Sequence, residues 1–285
     1  MIILDGKKYR DELLEQYKEK IEKENLNITL AIIQVGSNEA SNIYVKNKIK
    51  FCNKVGIKVD SRILSPEIKE EALLDIIEEL NSDENITGII LQSPTPKHID
   101  FDNCCESILP TKDVDGFGKD NIYSLYMNNE NILPCTVKGI IKLLEHYNIE
   151  LTGKNITIVG RGNIVGKPLQ LALENRDATV TLCHSKTLQL EKHIKDADIL
   201  ISAVGKPNLI NKDMVKENVV AVDVAINRVD GKICGDFNEN VAEKASMITP
   251  VPGGIGPMTI AMIIDNLIEM KGKNKVKVKR WKKYY

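Results

Sequence analysis

Asn155-Ile-Thr-Ile-Val-Gly160-Arg161-Gly162-Asn163-Ile164-Val165-Gly166 decides the fold of this chain. An apolar, β-branched run makes a strand, a glycine-rich turn follows directly, and an apolar helical pattern over 164–175 comes next. Strand, glycine turn and helix in that order are the context a dinucleotide-binding turn requires: glycine admits a pyrophosphate close to the backbone, and the helix N-terminus aims N–H groups at it. The glycine spacing is one residue longer than the usual G-x-G-x-x-G, so the context carries the signal more than the spacing does. Further strands are predicted at 178–183, 198–203 and 219–224, with a helix over 136–149 leading in. The series predicts a Rossmann-type doubly wound domain.

Toward the N-terminus a second alternating series precedes it. Thr29–Val35 and Thr87–Gln92 are short apolar runs bounded by turn residues, as buried parallel strands tend to be. Helical patterns lie at about 38–55, 66–81 and 101–108. A polar, turn-rich stretch from Lys112 to Asn131 then breaks the rhythm. The expected organisation is a catalytic α/β domain over 1–118, completed by 265–285, and a nucleotide-binding domain over 119–264.

Composition bounds the function classes. The chain has 285 residues and a formal net charge of −1, so no overall field draws it to nucleic acid or membrane. Eight Lys/Arg and no acid fall in 271–285, leaving 31 basic against 40 acidic residues, a net of −9, before them. That tail reads as a solvated or docked terminus, with RNA or a phosphate-rich ligand as the other reading. Six cysteines without CxxC spacing support neither zinc nor a disulfide framework, and no metal is expected. No apolar stretch approaches the ~20 residues of a membrane span, and no signal-peptide layout opens the chain. A cytoplasmic, reduced setting is expected.

Four places carry candidate chemistry. Thr249-Pro-Val-Pro252-Gly253-Gly254-Ile-Gly-Pro-Met-Thr259 cannot propagate a helix or a central strand, so it predicts a stiff loop entering a helix over Met258–Ile268, with Pro257 in its first turn. Such a loop suits a small-molecule site, or simply connects two packed elements. On the helix near 38–55, Tyr44, Lys48, Phe51, Cys52 and Val55 share one face while Lys46 and Lys50 lie opposite. Lys48 is then either an acid–base group tuned by desolvation or a lysine whose stem packs while its ammonium reaches water. Gln92 ends a buried strand, where ligands collect. Asp113 and Asp115 flank Val114 before Gly116, as a polar turn or as a ligand clamp. After the strand 178–183, His184-Ser185-Lys186 stands where an NAD site usually has an acid; with Arg161 it favours a 2′-phosphate, hence NADP, unless Ser185 merely begins a loop.

Together these segments resemble the bifunctional methylenetetrahydrofolate dehydrogenase/methenyltetrahydrofolate cyclohydrolase family. The residues that carry the resemblance are Ala40-Ser-Asn-Ile-Tyr44-Val-Lys-Asn-Lys48, Gln92-Ser-Pro-Thr-Pro, Lys112-Asp-Val-Asp115-Gly-Phe and Pro134-Cys-Thr. Gly160-Arg-Gly-Asn-Ile-Val-Gly166, Cys183-His-Ser185-Lys-Thr and the 249–259 loop complete it. The resemblance implies two α/β domains with a folate cleft between them and a homodimer through the nucleotide domain. It implies cyclohydrolase chemistry at Lys48, pterin packing by Tyr44, tuning of the lysine by Gln92 and a pterin hydrogen bond from Asp115. Substrate contacts follow for Pro252, Gly253 and Gly254, and NADP contacts for Gly160, Arg161, Gly162, Asn163, Ile164, Gly166, Ser185 and Ile226. A monofunctional dehydrogenase, or a non-catalytic nucleotide- or RNA-binding protein using the basic tail, are the other readings. Three positions depart from the family pattern: Gly162 stands for serine, Ser93 and Thr95 for leucines, and Ala225 for glycine. They bear on nucleotide preference, on the polarity of the folate pocket and on the backbone near the nicotinamide.

Overall fold

The computed structural model describes the backbone of residues 1–37 and 39–281 and the side chains of 1–37 and 41–273. In chain order the elements are β1 (Ile2–Ile3), α1 (Gly6–Lys23), β2 (Thr29–Val35), α2 (Glu39–Lys54), β3 (Lys58–Leu64), α3 (Glu70–Ser82), β4 (Gly88–Gln92), α4 (Phe101–Glu106) and α5 (Lys119–Tyr126). There follow α6 (Cys135–His146), β5 (Asn155–Val159), α7 (Gly166–Glu174), β6 (Thr179–Cys183), α8 (Leu190–Lys195), β7 (Ile199–Ser202) and β8 (Val219–Asp223). A hairpin of β9 (Asn227–Val229) and β10 (Lys232–Cys234), then β11 (Ala245–Ile248) and α9 (Ile255–Trp281), complete the described chain. Two compact units result, one of Glu12–Cys135 with the chain from Ile260 on, the other of Met1–Asp11 with Thr136–Thr259.

The first unit holds a three-stranded parallel sheet in the order β3-β2-β4. Its centre is β2, whose Thr-Leu-Ala-Ile-Ile-Gln-Val run is covered on both faces, as its near-continuous apolar character predicts. Ala31, Ile33, Ile89 and Leu91 pack against Leu73, Ile77 and Leu80 of α3 and against Cys104, Cys105 and Ile108. The strand β3 was not expected: Lys58-Val-Asp-Ser-Arg-Ile-Leu64 is too polar to read as buried, because it lies at the sheet edge where alternate residues meet water. Helix α1 was likewise unread; Leu13, Tyr17 and Ile21, buried at a four-residue spacing, make its inner stripe.

The second unit carries six parallel strands in the order β1-β11-β8-β7-β5-β6. The four strands expected here fall at the predicted places, shortened by at most two residues. With β6 on one side of β5 and β7 on the other, the winding reverses between β5 and β7. In open α/β sheets that switch point opens a crevice at the carboxyl ends of the strands.

Two expectations need correction. The stretch 112–131 is not turn throughout: Asp113 forms a parallel bridge to Ile89, and α5 occupies 119–126. Its polar side chains hid it, because Tyr123 and Tyr126 are exposed. The last helix begins at Ile255 rather than Met258 and runs to Trp281. Pro257 sits inside its first turn, where a missing N–H costs nothing. The helix takes in much of the basic segment; Lys273 donates to the Asn131 backbone carbonyl at 2.6 Å, and the side chains from 274 on and residues 282–285 lie outside the described set.

Asn266, fully buried on α9, joins three segments of the first unit. Its Nδ2 donates to the carbonyls of Val114 (2.9 Å) and Leu133 (3.0 Å). An Asn266→Leu variant leaves two buried carbonyls short of a donor, a loss of about 2–4 kcal/mol. Urea denaturation of the full chain measures it; a change below about 0.5 kcal/mol would show that these bonds contribute little.

Candidate active site

Helix α2 presents a buried stripe of Ser41, Val45, Lys48 and Cys52, a spacing of 4, 3 and 4 residues on one face, and buried Val55 follows just past its end. Lys48 is 9 % exposed, the only charged member of that stripe, while Lys46 and Lys50 are exposed on the far side as the sequence predicts. Among the described residues no carboxylate pairs with Lys48. Burial pushes the Cys52 thiol one turn further up to about 12, with the Lys48 charge pulling the other way. Cys52 is therefore an inert packing group. Tyr44 and Phe51 sit at the border of the stripe, and Tyr44 is 41 % exposed.

The carboxyl ends of β2 and β4 form the floor beneath the start of α2. Gln34 and Gln92 are register partners on these strands. Gln34 Nε2 donates to the Gly36 carbonyl (3.0 Å) and to Asn42 Oδ1 (2.7 Å), which ties α2 to its sheet. Gln92 Nε2 donates to the Ser93 carbonyl at 2.7 Å, an oxygen that Ser41 also reaches at 3.5 Å. The Oε1 atoms of both glutamines are buried without a hydrogen-bond partner. Two adjacent amide oxygens lacking donors mark a place for a ligand's N–H, an ammonium or water. Sequence reasoning found Gln92 and missed Gln34, whose signal was a lone amide in an otherwise apolar strand.

The segment 112–116 divides its polar groups by task. Lys112 Nζ donates to the carbonyls of Leu80, Asn81 and Asp83 at 2.7–2.9 Å and so closes the carboxyl end of α3. Asp113, 2 % exposed, accepts from the backbone N–H groups of Gly116 (2.9 Å) and Gly118 (2.8 Å) and from Asn121 (2.9 Å). It is a structural staple, and of the two readings of this acid pair the turn belongs to Asp113. Burial raises its carboxyl above the usual range, with the neighbouring Asp115 charge adding to the shift. Asp115 is half-buried and no described residue pairs with it; it follows by two residues the bridge of Asp113 to Ile89 on β4. Ser93 is exposed and Thr95 half-buried on the loop beyond.

In the second unit the glycine turn sits at the switch point. Gly160 has φ +119°, and a Cβ there would lie 2.5 Å from the Ala203 carbonyl oxygen at the end of β7. A Cβ on Gly166 would collide with the Gly160 carbonyl oxygen. Both must be glycine for α7 and the two strand ends to come this close. Gly162 differs: a Cβ there meets nothing within 4 Å. Arg161, Gly162, Asn163 and Ile164 are exposed along the turn, and Lys167 Nζ donates to Asn163 Oδ1 at 2.9 Å. The exposed turn, its glycine-sized close approach and the N-terminus of α7 fit the pyrophosphate of a dinucleotide.

Gly160 N donates to the Cys183 carbonyl at 2.9 Å, so Arg161 and Ser185 continue from neighbouring strand ends. His184 N donates to Thr187 Oγ1 and Lys186 N to His184 Nδ1, a tight turn that leaves the Ser185 side chain exposed. Ile226, 46 % exposed, lies beside the start of α9: a Cβ on Gly256 would stand 3.5 Å from its Cδ1. The 249–254 loop is closed by Gly254 N donating to the Pro250 carbonyl (2.8 Å), and Thr249 Oγ1 accepts from Asp223 N (2.7 Å). Pro252 projects outward, Gly253 is half-buried and Gly254 is buried. Ala225 fits with its methyl group buried and its N–H on Asp223 Oδ1 at 3.2 Å.

Comparison with known proteins agrees along the whole chain. Residues 4–115 match the catalytic domain of the tetrahydrofolate dehydrogenase/cyclohydrolase family and residues 134–275 its NAD(P)-binding domain. The bifunctional protein FolD of Sulfurihydrogenibium sp. is 48 % identical over 98 % of this chain and all of its own length; that of Aquifex aeolicus is 50 % identical, covering 94 % of each chain. A crystal structure of the Campylobacter jejuni FolD methylenetetrahydrofolate dehydrogenase/cyclohydrolase superposes with a TM-score of 0.94 at 45 % identity, covering 96 % of this chain and 99 % of that one. The Trypanosoma brucei enzyme, solved with NADP and an inhibitor, gives a TM-score of 0.91 at 31 % identity, covering 96 % and 98 %. With its glycine crevice, its buried lysine and matches spanning both units, the chain belongs to the tetrahydrofolate dehydrogenase/cyclohydrolase family.

Proposed function

We propose that this chain oxidises 5,10-methylenetetrahydrofolate to the 5,10-methenyl cation with NADP and then hydrolyses that cation to 10-formyltetrahydrofolate. The observation that carries the reading is Lys48, a buried amine with no carboxylate partner among the described residues, on the helix tied by Gln34 to the strand ends where Gln92 holds an unpartnered oxygen. That arrangement supports a bifunctional enzyme over a monofunctional dehydrogenase, which has no use for it.

The oxidation leaves a resonance-stabilised amidinium cation and releases no proton, so alignment matters more than acid–base help. When bound, NADP supplies the hydride acceptor. Gly160, Gly162, Asn163, Ile164 and Gly166 would hold its pyrophosphate through the turn and the α7 N-terminus, Arg161 and Ser185 its 2′-phosphate, and Ile226 one face of the nicotinamide. Tyr44 would stack on the pterin, Asp115 accept from the ring N–H groups, and Pro252, Gly253 and Gly254 line the substrate with backbone. Hydrolysis is the step that needs a base. Water loses a proton to the neutral amine of Lys48 as it attacks the bridging carbon; the ammonium then supplies the proton that N5 takes as its bond to that carbon breaks, and the hydroxyl proton leaves to form the formyl group. Gln92 Oε1, which no described group reaches, would accept from the Lys48 ammonium and so orient it.

The same reading takes tetrahydrofolate derivatives as the ligands, a homodimer through the nucleotide-binding unit as the assembly and the cytoplasm as the setting. No helix among the described residues is long and apolar enough to cross a membrane.

Lys48→Met removes the base and leaves the hydride path alone. Hydrolysis of authentic methenyl substrate should fall at least about 100-fold, while reduced nucleotide still forms from the methylene substrate. Unimpaired hydrolysis would remove Lys48 from the mechanism.

Nucleotide choice is tested by comparing NADP with NAD. Arg161→Ala should raise the KM for NADP roughly tenfold or more, the scale of one charge-assisted bond, and leave that for NAD nearly unchanged. Gly162→Ser, which the open space at that position accommodates, should sharpen the NADP preference several-fold. Equal effects on both nucleotides would place the 2′-phosphate elsewhere.

A further inference from the structure

Asp236 has no assigned role, yet its carboxylate is the most heavily bonded in the second unit. It is fully buried. Oδ2 accepts from Ser202 Oγ (2.7 Å), Val204 N (2.8 Å) and Gly205 N (3.3 Å). Oδ1 accepts from Lys206 N (2.7 Å) and Asn227 Nδ2 (3.2 Å). One of these donors ends β7, three belong to the loop that leaves it, and the fifth belongs to the residue after Ile226. The β7 loop forms one wall of the crevice at the switch point: its Ala203 carbonyl faces Gly160 at the close approach described above, and Val204 Cγ2 stands 3.5 Å from where a Cβ on Gly160 would lie.

A loop that turns its backbone N–H groups inward onto one carboxylate cannot drift without losing several bonds together. The carboxylate arrives from outside the loop, on the segment that follows the hairpin. That segment is itself held by Asp223, whose Oδ2 accepts from Phe237 N at 2.8 Å. Asp236 therefore fixes the wall that faces the nucleotide turn and the residue next to the candidate nicotinamide contact by a single charged group. Charge-assisted bonds to backbone N–H groups are about twice as strong as neutral ones, which suits a device whose task is angular precision.

We propose that Asp236 is a positioning residue for hydride transfer: it holds the Ser202–Lys206 loop and Asn227 in one arrangement, so that a nicotinamide ring bound at the switch point meets the substrate's methylene carbon at a fixed angle. It touches neither nucleotide nor folate. The inference rests on the dehydrogenase reading above and assigns that activity a residue outside its ligand contacts.

The test uses the full-length enzyme with Asp236→Asn, which keeps the shape but turns an N–H₂ toward inward-pointing donors, and with the milder Ser202→Ala, which removes one bond. Methylene oxidation is followed with substrate carrying deuterium or protium at the reacting carbon, and hydrolysis of methenyl substrate is followed in the same preparations. For Asp236→Asn we expect kcat for oxidation to fall 10- to 100-fold, with a smaller change in the KM for NADP, a larger deuterium isotope effect, and hydrolysis within about twofold of wild type. Ser202→Ala should move the same quantities in the same direction by less. Oxidation and hydrolysis falling in parallel, with an unchanged isotope effect, would reduce Asp236 to a general stabiliser and overturn the proposal. So would normal oxidation by either folded variant. Should Asp236→Asn not fold, Ser202→Ala decides alone by its isotope effect. Wild-type oxidation is measured alongside: its absence would sink the dehydrogenase reading, whereas its presence with unaffected variants sinks only the role of Asp236.

Discussion

Parallel pairing of buried strands is the constraint from which both candidate sites follow. Parallel neighbours need a crossover between them, so β2 with β4, and β5 with β7, finish on the same side of their sheets. At those ends the ladder stops and backbone and side-chain polar groups lose their regular partners. In the first unit the result is two glutamine oxygens with no donor; in the second it is a crevice too narrow for a Cβ. A chain that must satisfy buried polar groups can leave such a place only where a ligand or water completes it. The sites are thus consequences of topology, and the residue types adapt that topology to a particular chemistry.

How the acids are used sharpens this division. Asp113 and Asp236 accept three and five hydrogen bonds from their surroundings, each closing a turn of its own chain or a neighbouring loop. Their carboxylates are spent on structure. Asp115 stands two residues from Asp113 with no described partner, and Lys48 stands on a buried stripe with none. Burial with partners is construction, while burial or half-burial without them is a group held for another molecule. The alternation in Lys-Asp-Val-Asp115-Gly carries both: Asp113 is buried and spent on the turn, whereas Asp115 is only half-buried and remains accessible.

The same logic explains what the sequence reveals and what it conceals. The strands β2 and β5 were legible because covering both faces forces a continuous apolar run. The face bearing Lys48 was legible because 3.6-residue periodicity sorts three lysines onto opposite sides of one helix. The edge strand β3 was not, since Asp60 and Arg62 spend their polarity on water and on each other along one face of the strand. Gln34 was passed over because one amide does not disturb an apolar pattern, and only the register with Gln92 gives it meaning. Asp236 was invisible for a deeper reason: its five donors are spread from Ser202 to Asn227, and no local spacing announces a carboxylate that serves a loop 30 residues away.

The three glycines of the nucleotide turn show how structure separates steric need from chemical choice. Gly160 and Gly166 are demanded by the approach of Ala203 and of α7, so any side chain there would push backbone from backbone. Gly162 meets open space and its backbone lies outside the left-handed region, so nothing steric holds a glycine there. What its bare Cα decides is the number of donors offered to a phosphate. The turn keeps the geometry of a dinucleotide site without a hydroxyl at 162, and under the proposed reading the discrimination between a ribose hydroxyl and a 2′-phosphate would then fall to Arg161 and Ser185. A guanidinium offers several donors in a fixed fork, and a single hydroxyl beside it contributes less to that contact than the charge does. Loss of the hydroxyl should therefore lower the strength of phosphate recognition without reversing its sign, because the charge that sets the sign is still present.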